Sequence, residues 1–79
     1  MNLQLVILRN IKSGAGRDGM MVTSTLWGEV LMDESRASYS AFRTALRELE
    51  EKGQIITVAG QDREKCKLTA AGEARLMEV

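Results

Sequence analysis

The stretch 38–55 constrains the fold more than any other part of the chain. Phe42, Ala45, Leu46 and Leu49 recur at spacings of three and four, which puts them on one side of a helix. Ser38 is placed to cap its start, and the pattern predicts a helix to Lys52. Gly53 then supplies the stop, with a lysine in the last turn beside the negative end of the helix. Arg47 with Glu51, and Glu48 with Lys52, are spaced to pair on its surface. Directly after the stop, Ile55, Ile56 and Val58 mark a strand over 54–59. A polar turn at 60–64 follows. A returning strand is expected at 65–68, where Cys66 and Leu68 alternate with Lys65 and Lys67.

The remaining elements are read around this unit. Residues 2–12 carry Leu3, Leu5, Val6, Ile7, Leu8 and Ile11. Leu3, Leu5 and Ile7 alone also fit a strand, but the polar residues Arg9, Asn10 and Lys12 interleave at helical spacing, so a helix is expected. Three glycines make 13–19 a loop, and apolar Met20, Met21 and Val22 can add one short strand. Thr23 or Ser24 is placed to cap a second helix reaching about Met32, with Leu26, Trp27, Val30 and Leu31 inward. Residues 33–37 are mostly polar and read as a connection. Thr69 is placed to cap a short last helix through Leu76. The second and third helices then form a helix-turn-helix.

Composition sets limits on this layout. At 79 residues the chain reads as a single domain over 1–79. A domain this small buries only roughly 60% of its unfolded surface. Hydrophobic residues at 44% and charged residues at 28% point to a globular chain. Cys66 is the one cysteine, so no intrachain disulfide forms, and the absence of histidine excludes Ser-His and Cys-His catalysis. The first residues lack a basic region, and the apolar run from Leu3 to Leu8 is short, which argues against a signal peptide or membrane span; a cytoplasmic location is expected. The 11 Lys and Arg balance the 11 Asp and Glu. A nucleic-acid binder with zero net charge must segregate its charge onto one face.

Two stretches carry a resemblance. Arg43-Thr44-Ala45-Leu46-Arg47-Glu48-Leu49-Glu50-Glu51-Lys52-Gly53-Gln54-Ile55 is similar to the end of a recognition helix running through a glycine stop into a hairpin. Lys67-Leu68-Thr69-Ala70-Ala71-Gly72-Glu73-Ala74-Arg75-Leu76 resembles a Leu-Thr-x-x-Gly-x-x-x-Leu signature where the second hairpin strand enters a final helix. With the helix before them they span the chain from about Thr23 to Leu76. In order and separation they resemble the winged helix-turn-helix transcription regulators, the broad group that includes the MarR-like and PadR-like proteins. The resemblance implies an α+β fold: a small winged helix-turn-helix domain of three helices, a β-hairpin wing and a short C-terminal helix. It also implies sequence-specific binding of double-stranded DNA, with the helix near 38–52 in the major groove and the tip at 61–65 on the neighbouring backbone or minor groove.

The residues suited to such contacts are then specific. Arg36, Ser40, Arg43 and Arg47 form one stripe at about 100° per residue, if the helix or its lead-in starts that early. Arginine can bond a guanine edge with two donors, and serine and tyrosine can hold phosphates. Ser38 stands at the helix start, where free amides and the positive end of the dipole favour anions. Tyr39 can donate its hydroxyl to a phosphate or pack at the edge of the core. Arg63 and Lys65 offer phosphate contacts diluted by Asp62 and Glu64, and a plain hairpin turn fits as well. Lys12 and Arg17 can touch backbone from the flanking loop. A solvated helix face carries the same arginines, and Glu48, Glu50 and Glu51 would repel phosphate, so contacts are expected towards the helix start.

Other features have plainer readings. Gly14-Ala15-Gly16-Arg17-Asp18-Gly19 matches G-x-G-x-x-G, but a dinucleotide site needs a strand directly before it and a parallel sheet. Trp27 and Cys66 read as core, with a redox role for Cys66 the alternative. Asp33 and Glu34 read as a solvated turn. No enzyme activity, metal or cofactor is expected. A homodimer is expected to match a palindromic site, through Leu3, Ile7, Leu76, Met77 and Val79 on the first and last helices. The alternatives are a winged-helix module that binds protein, and a mobile-element accessory protein without direct DNA binding.

Overall fold

The computed structural model describes residues 2–60 and 63–78. Among them the chain forms four helices and three strands: α1 (Leu3–Gly14), β1 (Met20–Val22), α2 (Thr23–Asp33), α3 (Tyr39–Glu51), β2 (Ile55–Ala59), β3 (Glu64–Leu68) and α4 (Ala70–Met77). The fold is α+β, with one antiparallel sheet in the order β1-β3-β2. The short strand at Met20 thus joins the hairpin, and β3 becomes the central strand. Among the described residues, no helix is long and apolar enough to cross a membrane.

α1 is the middle of the core. Asn2 caps it by accepting from the Gln4 amide, and Val6, Ile7, Leu8 and Ile11 are buried against Leu26 and Val30 of α2, Phe42, Leu46 and Leu49 of α3, and Met21, Ile55 and Cys66 of the sheet. Asn10 is also buried. Its side-chain amide donates to the Val6 carbonyl at 2.8 Å and to the Asp33 carboxylate at 2.9 Å, so the burial leaves no donor unmatched and ties α1 to the end of α2.

The start of α2 differs from expectation. Val22, the last residue of β1, is the N-cap, and no side chain caps the helix. The helix springs directly from a strand, and this turns Thr23 inward: its hydroxyl shares a 3.2 Å hydrogen bond with the buried Cys66 thiol. α2 reaches Asp33 and α1 reaches Gly14, each slightly beyond the sequence expectation.

Both ends of α3 form as the sequence predicts. Ser38 Oγ accepts from the Ala41 amide at 3.0 Å. At the other end the Gln54 amide donates to the Leu49 carbonyl and the Gly53 amide to that of Glu50, with Gly53 at φ +71°. These are the two hydrogen bonds of a Schellman stop, and the left-handed residue between them favours glycine. The expected pairing of Glu48 with Lys52 is replaced by a shared partner: Gln4 donates to Glu48 and accepts from Lys52. Neither that pair nor Arg47 with Glu51 is among the ion pairs of the described residues, which are Lys12–Glu73 and Arg43–Glu64.

The Leu-Thr-x-x-Gly stretch has a mechanical basis. Thr69 Oγ1 accepts from the Gly72 amide, which caps α4, and donates to the Gly53 carbonyl. Gly72 is buried so close to Gln54 that a methyl group there would run into the Gln54 carbonyl oxygen. One threonine and one glycine thus lock α4 onto the turn that ends α3.

Candidate nucleic-acid interface

Because α3 buries Phe42, Ala45, Leu46 and Leu49, helical periodicity turns Ser40, Thr44 and Arg47 outward, and all three are exposed. Arg43 lies at the margin of that stripe, half-buried. Arg36 does not join it. It is exposed in the turn before α3, where Ala37 bonds back to Glu34 and Ser38 begins the helix, so the stripe starts at Ser40.

Arg43 is held from the sheet. Its Nη1 donates to Glu64 Oε2 at 3.1 Å and to Oε1 at 3.4 Å, with the two side chains 40% and 35% exposed. The hydrogen bond from Arg43 to Glu64, and then the Glu64 charge, raises the Arg43 pKa above its usual value although burial opposes the shift. The guanidinium remains a cation, and Glu64 sets an opposite charge beside it in a pair that stays partly open to solvent.

The two aromatic options for Tyr39 are compatible. Its ring packs edge-on against Trp27, with centroids 5.5 Å apart, while the residue stays 53% exposed. Trp27 in turn tilts onto the buried Phe42 at 5.0 Å. The expected core role of Trp27 is therefore partial: it is half-buried and forms the floor between α2 and α3.

A groove of about 320 Å³ opens beside this cluster, lined by Val22, Thr23, Ser24, Trp27, Tyr39, Arg63 and Glu64. It gathers the uncapped first turn of α2, the start of α3 and one side of the hairpin. An uncapped first turn leaves backbone amides without helical partners, which suits an anion. Ser24 and Thr25 are exposed there. From the sequence, Ser24 is only a capping candidate, and Glu64 is only a charge that dilutes the hairpin tip. The signal that could have marked Ser24 is an apolar run ending at a predicted helix start. No periodicity links positions 43 and 64.

Arg63 is exposed and shares the groove with Tyr39, while Lys65 does not. Lys65 alternates with Glu64 and so lies on the other face of β3, half-buried between Val22 and Val58 in the register of the sheet. The hairpin therefore brings one of its two predicted cations to the α3 side. Gln61 and Asp62 of the tip lie outside the described residues. Lys12 is engaged across the α1–α4 contact with Glu73.

The glycine-rich segment runs in the opposite order to a dinucleotide motif. Gly14 closes α1, Gly19 turns the chain at φ +76°, and β1 of an antiparallel sheet follows. Among the described residues no cluster of His, Cys, Asp or Glu could hold a metal ion. Neither a family model, nor a curated protein, nor a solved structure matches the chain.

Proposed function

We propose that the chain is a winged helix-turn-helix domain that binds double-stranded DNA in a sequence-specific manner and acts as a transcriptional regulator. One observation carries the reading: α3 is buried along one side and presents Ser40, Thr44, Arg47 and the margin residue Arg43 along the other. The first turn of α2 and Arg63 border the groove where α3 begins. The major groove, about 12 Å wide, admits a helix. In this reading Arg43 and Arg47 meet base edges or phosphates, Ser24, Ser38, Ser40 and Tyr39 meet phosphates, and Arg63 meets the flanking backbone. Glu50 and Glu51 are exposed at the far end of α3 and keep that end off the phosphates. The chain acts by binding alone.

The test is fluorescence anisotropy with duplex DNA across a salt series, for the wild type and Arg47→Ala. Binding should weaken steeply with salt. The slope of log K against log salt should be shallower in Arg47→Ala by about 0.9 for each phosphate that the arginine neutralises. Absence of binding at low salt would reject the reading. The balance of 11 basic against 11 acidic residues favours, as the second reading, a module that docks an acidic protein surface on the same arginines. Its signature would be capture of a protein partner abolished by Arg47→Ala, with no DNA binding.

A further inference from the structure

We infer that Glu64 is a positioning residue that converts Arg43 from a general phosphate contact into the base-reading contact of α3. This rests on the DNA reading above. Arg43 and Glu64 come from α3 and from the central strand, 21 positions apart in the chain, and meet through Nη1 alone. A guanidinium has five N–H donors in a rigid fork. With Nη1 occupied, the edge formed by Nη2 and Nε keeps its donors, and two parallel donors are what the O6 and N7 atoms of guanine accept.

Charge acts in the same direction. A free arginine is attracted to any phosphate, so it adds affinity without adding discrimination. The Arg43–Glu64 pair carries little net charge, and Glu64 repels any phosphate that approaches Arg43. A guanine edge carries no such penalty, since its acceptors are neutral. Holding the fork in advance also removes the rotamer freedom that a long side chain otherwise loses on binding. Arg47, exposed on the same helix and not in an ion pair among the described residues, has the opposite character and supplies general attraction.

The experiment compares dissociation constants for a duplex enriched by selection with the wild type and for a random duplex. The variants are Glu64→Gln, Arg43→Lys and Arg47→Ala, with thermal melting recorded for each. Glu64→Gln keeps the side-chain shape and removes the charge. It should bind the random duplex severalfold more tightly at low salt, while the ratio between selected and random duplex falls roughly 10-fold, within the range of one good bidentate base contact. Arg43→Lys keeps the charge without the fork, and its ratio should fall by a similar factor. Arg47→Ala should weaken both duplexes equally and leave the ratio unchanged. A wild type that discriminates, with Glu64→Gln and Arg43→Lys discriminating equally well, overturns the inference alone. A wild type that binds DNA without preference overturns both this inference and the sequence specificity of the reading above. A wild type that binds no duplex at low salt overturns the DNA reading, and this inference with it.

Discussion

Cys66 shows how a single residue can be chemically quiet for physical reasons. It is fully buried on the central strand, and burial pushes its thiol pKa up, while the hydrogen bond with Thr23 pulls the other way. The neutral thiol is the favoured form in the fold. Two outcomes follow. An aromatic disulfide reagent at pH 8 should label Cys66 slowly in the native protein and rapidly in denaturant; equal rates would show the thiol to be accessible. Stability should also respond to pH with a definite sign. Below the ordinary thiol pKa both folded and unfolded chains keep the proton. Above it the unfolded chain ionises first, so stability is lost as pH rises towards the folded value. Denaturant midpoints measured from pH 7 to 10 should fall more steeply in the wild type than in Cys66→Ala, even though that variant starts from a lower stability.

Among the elements, α4 depends most on two small residues. Gly72 lets the helix approach the Gln54 carbonyl, and Thr69 both caps α4 and bonds the stop of α3. Alanine favours helix over glycine by about 1 kcal/mol, so Gly72→Ala would stabilise an isolated helix. In this fold the overpacking cost, about 1–3 kcal/mol, acts against that gain. Gly72→Ala is therefore expected to lower the melting temperature, since the methyl group meets backbone that has little room to yield. Thr69→Ala removes a cap and should cost about 1 kcal/mol, roughly 4–8 °C in a domain of this size. A higher melting temperature for Gly72→Ala would refute the close approach.

At the scale of the whole molecule, one small module offers limited surface to DNA, and a second copy would double it. We propose a homodimer through α1 and α4. Met77 is 87% exposed and stands beside half-buried Leu76, and Leu3 and Leu5 lie half-buried on α1. Ile7, an expected member of that surface, is fully buried and serves the core instead, and Val79 lies outside the described residues. Light scattering at micromolar concentration should report a dimer for the wild type, and a shift towards monomer for Met77→Glu with its melting profile retained. A monomeric wild type with and without DNA would refute the dimer.

The sequence alone determined the elements. Helical spacing of Phe42, Ala45, Leu46 and Leu49, the caps at Ser38 and Thr69, the stop at Gly53 and the alternation around Cys66 are all local, and local patterns act through backbone geometry that needs no distant partner. The outward side of α3 was legible for the same reason, since a helix that buries one side must expose the other. Only the tertiary structure decided which charges are free. Arg43 meets a carboxylate from β3, Lys12 meets one from α4, and Lys65 is turned to the far face of the sheet because β3 takes its register from β1 and β2. Arg36 left the stripe because the helix begins after it. Pairings across 21 or 61 positions leave no periodic trace in a chain, so only the fold shows which charges of this neutral protein are paired.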